Sequence, residues 1–461
     1  MAAVATAPQA GPAAGPAGGG APGLADRSGP LRRITAQGTP AVIRALLVLL
    51  VVLSLAWGGF GAWAVAVHSN AATSLAHTDE PSSLDAQKLY LDIADADVTI
   101  TTSFLEQSQP VAPHQSPPST LSDRQQVKAD IAGAAAALAA VQGSATGPQF
   151  ASAVATIANG LAVYQGDVNI AVSEYQQGIT PAGDSEMEVA SEEADLVLLP
   201  AASQLYQMES AAVTASSGQA TSLPTLIVAI VVALAALFAL VRAQRWLGRR
   251  THRVFNLGLL VATAALVISG GWLAVSFGVA RADLSTASGQ GATPAGELAQ
   301  ASIDVQQIRG DSILNVIARS GGTSLPADSA RLVQVVGPRP GGGGLLAQAS
   351  AAGNGQVGSA LGPAIAAAPA WYAVNDKGYQ YAKAFEYNQE QMSVLQDAAP
   401  GFGTVKASIG NAIAAAQQTF TSEANAGAGA FGPLEAVVIV ASLLMAAASA
   451  WGLSRRLAEY S

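Results

Sequence analysis

The 461-residue chain contains no cysteine. No disulfide framework, thiolate metal centre or thiol nucleophile is open to it, and any exported part must be held by packing alone. Charged residues make up only 11% and aromatic residues 5%. The four histidines, His68, His77, His114 and His252, never pair with one another at metal-ligand spacing. No glycine-rich phosphate loop lies between a strand and a helix, since the run Gly341 to Gly344 lacks both neighbours and the lysine. No G-x-S-x-G elbow appears. The expectation is therefore no catalytic residue, no cofactor and no metal, and a protein that is not an enzyme. Basic residues cluster at the ends of apolar runs and form no stripe, which argues against nucleic acid as a partner.

What the chain has is hydrophobicity: half of its residues are apolar. Residues 225–241 and 255–279 are two charge-free runs, each close to the ~20 residues a helix needs to cross a bilayer. Between them lie Arg242, Arg245, Arg249, Arg250 and Arg253, which place that turn in the cytoplasm by the positive-inside bias. Two further apolar runs, 41–67 and 433–453, complete the expected set. The first follows Arg27, Arg32 and Arg33 and is too long and too far from the start for a signal peptide, so an uncleaved anchor is expected. The last ends at Arg455 and Arg456. The expected fold is an all-α membrane protein in the cell membrane, both termini cytoplasmic. It has four transmembrane helices and two extracytoplasmic helical bundles in a tandem repeat. The divisions are a disordered tail (1–40), span 1 (41–67), bundle 1 (68–222), span 2 (223–241), basic loop (242–254), span 3 (255–279), bundle 2 (280–432), span 4 (433–453) and a tail (454–461). Charge is distributed to match: bundle 1 carries eighteen acids against three bases, whereas the cytoplasmic pieces, counted with Arg44 at the start of span 1, hold eleven bases and two acids, Asp26 and Glu459.

Within bundle 1, Pro81 is expected to break the chain, with Ser82 or Ser83 capping a helix over 84–105. Leu89, Ile93, Ala96, Ile100 and Phe104 recur at steps of three and four and define its core stripe. Residues 107–120 read as a Pro- and Ser-rich loop. Ser122 with Gln125 is a capping-box pattern for a helix over 123–141, and a third helix covers 149–177. Residues 180–183 read as a turn, and Ser185 with Glu188 as a second capping box. Pro200 is expected to kink the helix that follows. In bundle 2, Thr293 and Pro294 read as a cap and first residue of a helix over 295–320. Residues 331–345 read as a flexible loop, and 362–396 and 403–424 as helices. Gly58, Gly59, Gly61, Gly270, Gly271 and the small-residue face of 445–450 suit close packing of the spans.

Two acidic or mixed sets could bind something. Glu186, Glu188, Glu192, Glu193 and Asp195 read better as a solvated helix start than as a cation site. Asp92, Asp95, Arg309 and Asp311 lie on the first helix of each bundle. They could face an amino-acid-like ligand or a partner, although surface ion pairs are the plainer expectation. The spans hold no ionisable residue near mid-membrane, which disfavours an ion-coupled transporter.

Ser83-Leu84-Asp85-Ala86-Gln87, then Tyr90 and Ala94-Asp95-Ala96-Asp97, follow the first span. Arg309-Gly310-Asp311 with Leu314 and Ala318-Arg319 follow the third, and Trp371-Tyr372 with Phe402 and Ile413 come later. Together they resemble an actinobacterial four-span sensor family whose layout is similar to chemoreceptor sensory bundles. The pattern departs at Ser312, where an acid is usual, and at Asp376-Lys377, where an acidic pair is usual. The resemblance implies a sensor-transducer that works with an extracytoplasmic glutamine-binding, solute-binding lipoprotein and a cytoplasmic Ser/Thr kinase or adaptor. Asp95, Asp97, Arg309, Asp311 and Arg319 match family positions with no role assigned. Output would pass through Arg245, Arg249, Arg250 and Arg253, and the chain could pair as a homodimer in the lipid bilayer. The alternative is a structural or scaffold protein of the cell envelope, with a transporter subunit third.

Overall fold

A computed structural model describes residues 39–107, 120–143, 147–251, 256–318, 324–338 and 343–458. The tail before residue 39, the loop at 108–119, His114, His252, Arg253, Phe255, Arg319, Gly341, Gly342 and Glu459 lie outside the described residues, as do the side chains of Ser122, Arg250 and Arg456. Nearly all of the described residues are helical, and none of them lies in a strand.

Four proline positions shape the rods. Helix α1 (Thr39–Ser74) passes through a π turn (Leu75–Asp79) into α2 (Glu80–Gln107). Next come α3 (Thr120–Val141) and α4 (Pro148–Gln176). Helix α5 (Thr180–Glu193) runs through a second π turn (Ala194–Leu198) into α6 (Leu199–Ala220). After α7 (Pro224–Thr251), α8 (Leu257–Thr286) runs through a third (Ala287–Ala292) into α9 (Thr293–Ala318). Helices α10 (Leu325–Val336), α11 (Leu345–Ala352) and α12 (Gly355–Lys383) follow. Helix α13 (Tyr387–Met392) joins α14 (Ala398–Gly429) through a fourth π turn (Ser393–Asp397), and α15 (Leu434–Ala458) ends the chain. Pro81, Pro200, Pro294 and Pro400 each stand just beyond one of these turns. A proline lacks an N–H and its ring crowds the carbonyl four residues back. One extra residue in the turn relieves that crowding without ending the helix.

Several expectations are corrected by this. Pro81 does not break the chain, because the π turn absorbs it; the Ser82 hydroxyl donates back to the Thr78 carbonyl at 2.8 Å and caps nothing. Thr293 and Pro294 do not open a helix, since α8 and α9 are one rod. Residues 180–183 form the first turn of α5, where the missing N–H of Pro181 does no harm, so Ser185 with Glu188 opens nothing. Residues 331–336 belong to α10 rather than to a loop. The helix expected over 362–396 is interrupted at 384–386, where Phe385 takes a left-handed φ of 58°, and the gap expected before Gly403 is helical.

Five helical stretches are long and apolar enough to cross a membrane: Ala41–Gln107, Pro181–Arg249, Leu257–Ile317, Gly355–Lys383 and Tyr387–Arg455. The chain is a multi-pass membrane protein. Gly355–Lys383 is the least apolar, with a mean hydropathy of 1.2 against 2.0 to 2.8 for the rest. Helices α1, α7, α8 and α15 form one apolar layer whose interior includes Leu50, Trp57, Leu240, Leu266, Val438 and Met445. Its outward faces stay uncovered: Leu55, Phe238 and Val275 are 50%, 71% and 67% exposed. Large uncovered apolar faces on helices of this length are lipid-facing surfaces. Close approach is confined to a few glycines. A methyl at Gly61 would stand 2.6 Å from Val438, and one at Gly258 would stand 2.7 Å from the Gly452 Cα. Gly59 and Gly271 face open space, so the glycine face expected to pack does so only in part.

Two further cores stand beyond the layer. In the first, Leu89, Ile93, Ala96, Ile100 and Phe104 of α2 are all buried, as their spacing predicts, against Ile157, Leu161 and Tyr164 of α4. In the second, Leu298, Val305 and Ile308 of α9 pack with Trp371 of α12 and Val405 and Ile409 of α14. Ile303 of α9 belongs to the first core, so the two modules share a wall.

Candidate functional site

That wall is a seam of polar and apolar contacts. Lys406 Nζ of α14 donates to Asp95 Oδ1 of α2 at 2.6 Å, and Gln306 Nε2 of α9 donates to the same oxygen. Gln307 Nε2 donates to the Tyr90 hydroxyl at 3.2 Å. Further from the membrane layer, Val98 and Leu105 pack with Ile313, Val316 and Val394. Arg309 lies buried there. Its guanidinium donates to the Val394 carbonyl at 2.6 Å and sits 5.5 Å above the Phe402 ring. Burial pushes Arg309 down to about 10, opposed by the negative charge of Glu106.

The four candidate residues do not converge. Asp92 is held by Lys88 one turn away at 2.5 Å. Asp95 and Arg309 share the seam with different partners. Asp311 accepts from Arg331 Nη1 at 2.7 Å, and the same nitrogen meets Asp328 at 2.8 Å. Asp328 is fully buried and is pushed up to about 7 by that burial, then by Asp311. Asp195, from the acidic set expected to be solvated, is pushed up to about 8 by burial, then by the charges of Asp97 and Asp311. Asp97 is buried against the Ser191 hydroxyl at 2.8 Å and the Tyr164 hydroxyl at 3.4 Å, and burial lifts it to about 6. Among the described residues no three His, Asp or Glu side chains are grouped as a metal site.

A different set lines a polar space at the junction of layer and modules. A cleft of about 600 Å³ opens between α2 and α6 on one side and α9 and α14 on the other, next to the first and third π turns. Glu80, Ser83, Gln87, Tyr206, Glu297 and Gln417 are among its walls, and among the described residues no Lys, Arg or His lines it. Burial pushes Glu80 up to about 7. Gln87 Nε2 and Glu297 Oε2 have no partner among the described residues. A buried polar atom left unpaired costs roughly 1–3 kcal/mol, so these groups favour a ligand or water that pairs with them. Two carboxyl groups without a cation suit a polar ligand that carries an ammonium or amide. Sequence reasoning missed this set as a site. A signal for it exists in the chain, because Ser83, Leu84 and Gln87 belong to one short motif and all three line the cleft.

Beneath the cleft the chain turns twice. Residues 221–223 separate α6 from α7, and residues 430–433 separate α14 from α15. The helix ends flanking the first turn, and Phe431 in the second, meet the buried ring of His68 on α1. Its Nδ1 pairs with the Ala220 carbonyl at 2.8 Å, one of the carbonyls a helix end leaves free, and its Nε2 with the Thr225 hydroxyl at 2.5 Å. Phe431 stacks on the ring at 6.4 Å and Phe277 meets it edge-on at 4.9 Å. One side chain of α1 therefore touches α6, α7, α8 and the turn that leads into α15. At the opposite end of the layer Arg242, Arg245 and Arg249 are exposed. There Asn256 accepts from the Gly258 N–H and donates to the Gly452 carbonyl at 2.9 Å, fixing α8 to α15.

A family model described as an actinobacterial sensor domain matches residues 71–218. That interval runs from the end of α1 to the end of α6 and includes the whole first module. The match supports a sensor role. No curated protein and no solved structure matches the chain.

Proposed function

We propose that the chain is a non-catalytic sensor-transducer of the cell membrane, with four spans and two extracytoplasmic modules in tandem. In this reading α1, α7, α8 and α15 span the bilayer. Helix α12 belongs to the second module, because Val357, Leu361, Ala364 and Trp371 are committed to its core. The basic ends stay in the cytoplasm with both termini. The modules respond to amino-acid availability, with glutamine-like chemistry, either directly in the cleft or through a solute-binding lipoprotein. The short basic segments are read by a cytoplasmic Ser/Thr kinase or adaptor.

The carrying observation is the continuity of the rods. Helices α1–α2 and α8–α9 each run from layer to module without a break, and each has a π turn at the junction beside the cleft. Converting one π turn to α geometry removes one residue from the turn. The rod beyond it then shifts by ~1.5 Å and rotates by ~100°. Helix shifts of ~1–2 Å are a known switching scale. A ligand moves this equilibrium only if it favours one of the two geometries.

The test uses the full chain in nanodiscs. L-Glutamine, related amino acids and the amino-acid-loaded lipoprotein are titrated, and phosphorylation of the kinase substrate is read on the other side. Binding that is lost in Gln87→Ala and Glu297→Gln is expected. Arg245→Gln with Arg249→Gln is expected to keep binding and lose output. Absence of any binding by the intact chain would leave the scaffold reading in its place.

A further inference from the structure

The spans are not equally tight. Helices α7 and α8 are clamped at the basic end, where Gln244 Nε2 donates to the Leu259 carbonyl at 3.1 Å and to the Thr263 hydroxyl at 2.9 Å. Toward the modules they part, and a groove of about 450 Å³ opens between them. Trp57 of α1 stands among its lining residues. One wall is Leu226, Ile230 and Leu234 of α7; the other includes Gly270, Gly271 and Gly278 of α8. A methyl at Gly271 or Gly278 would meet nothing within 4 Å, and one at Gly270 would meet only Trp57 at 4.0 Å. These three glycines therefore hold space open and do not bring helices together, contrary to the packing expected of Gly270 and Gly271.

The groove has a polar rim at its module end. Thr221, Ser222 and Arg281 line it there. Arg281 is exposed and forms no ion pair with any described residue. Asp283, two positions away, does not share its helix face. The α7 lining from Leu226 to Leu237 covers ~17 Å of helix, which matches the ~15 Å depth of one hydrocarbon leaflet. An apolar slot open sideways inside the membrane layer, as deep as a leaflet, with an unpaired cation at the headgroup level, has the chemistry of a phospholipid site.

We propose that this groove binds one phospholipid of the module-side leaflet. One acyl chain lies against Gly270, Gly271 and Gly278, and the anionic headgroup meets Arg281 and the Thr221 and Ser222 hydroxyls. The lipid holds α7 and α8 apart near the His68 junction, because Phe277 and Phe431 border both features.

Native mass spectrometry of the purified full chain tests this, with phosphatidylglycerol or phosphatidylcholine added in turn. One retained lipid per chain is expected, with phosphatidylglycerol preferred roughly fivefold, the size of one cation near a headgroup. Arg281→Gln should keep one lipid and lose the preference. Ala274→Trp, which fills the groove, should lose the lipid while helicity and monomer mass are unchanged. Gly271→Trp serves as a second filler if Ala274→Trp fails to fold. Equal retention of the two lipids by the unaltered chain overturns the headgroup assignment. Lipid retained in both filled variants, or a dimer in which groove residues cross-link in place of lipid, overturns the site. None of these readouts uses amino-acid binding or kinase output, so the sensor reading stands or falls separately.

Discussion

The ammonium of Lys406 lies 2.6 Å from Asp95 Oδ1, although 311 residues of chain separate them. Asp95 stands on the first rod to leave the membrane layer, and Lys406 on the last helix to return to it. Gln306, from the rod that begins the second module, reaches the same carboxylate. Three rods are therefore registered through one oxygen, beyond the apolar layer and along the shared wall.

The Asp95–Lys406 pair is open to water, at 23% and 39% side-chain exposure, so its Coulombic value is small. Lys406→Met and Asp95→Asn should each lower module stability by ~1 kcal/mol or less, with a coupling of ~0.5 kcal/mol in the double mutant. The more telling readout is a distance measurement between spin labels on α2 and α14. It should broaden in both variants. An unchanged distance distribution would mean that the apolar seam alone sets the register.

Span packing offers a sharper contrast. A side-chain carbon at Gly258 would collide with the Ala448 carbonyl and stand 2.7 Å from the Gly452 Cα, whereas Gly59 faces open space. Gly258→Ala should cost ~1–3 kcal/mol through overpacking, and Gly59→Ala close to nothing. Thermal melting of the two purified variants in detergent decides it. Equal melting temperatures would show that α8 and α15 slide apart at little cost.

Much of this arrangement is legible in the residues. The α2 stripe is legible because an amphipathic helix leaves a 3.6-residue trace, and the apolar runs because lipid tolerates little charge. The continuity of the rods is not, because a proline reads as a breaker. Whether a break or a π turn relieves Pro81 or Pro294 depends on packing against neighbouring rods. The role of His68 is equally hidden, since its partners at Ala220, Phe277 and Phe431 lie far along the chain. Asp92, Asp95, Arg309 and Asp311 share two helices in sequence, but each turns to its own partner. Only the third dimension separates them. Gln87 is visible within a motif, but its unpaired nitrogen is not.

Arg309 is the buried cation of the seam. Arg309→Met keeps much of its apolar bulk but leaves the Val394 carbonyl, at the fourth π turn, without its donor. The expected loss is ~1–3 kcal/mol. Arg309→Lys should recover part of it, since an ammonium can donate to one carbonyl. Hydrogen exchange around the π turn Ser393–Asp397 should rise in the Met variant more than in the Lys variant. Uniform protection in both would remove Arg309 from any role in holding that turn.

Asp97 gives the pH prediction. Its carboxyl titrates near 6 in the folded chain because it is buried, against a reference of ~3.9 when unfolded. A pKa raised by folding favours the protonated fold. Its contribution is fully present below about pH 4 and is lost as pH rises through about 6. At pH 7 the charged form costs an order-of-magnitude ~3 kcal/mol. Asp97→Asn keeps an oxygen to accept from Ser191 and Tyr164 and removes the charge. The variant should therefore melt higher than the unaltered chain at pH 7 and no higher at pH 4. Glu80, Asp195 and Asp328 are raised by the same cause, so the slope of the whole chain stays negative toward neutral pH. Asp195 adds a second readout. The Asp97 charge is one of the causes that raise it, so its titration should move down in the Asn variant. A variant that loses equal stability at both pH values, with Asp195 unmoved, would mean that the Asp97 carboxylate is solvated and that the two acids are independent.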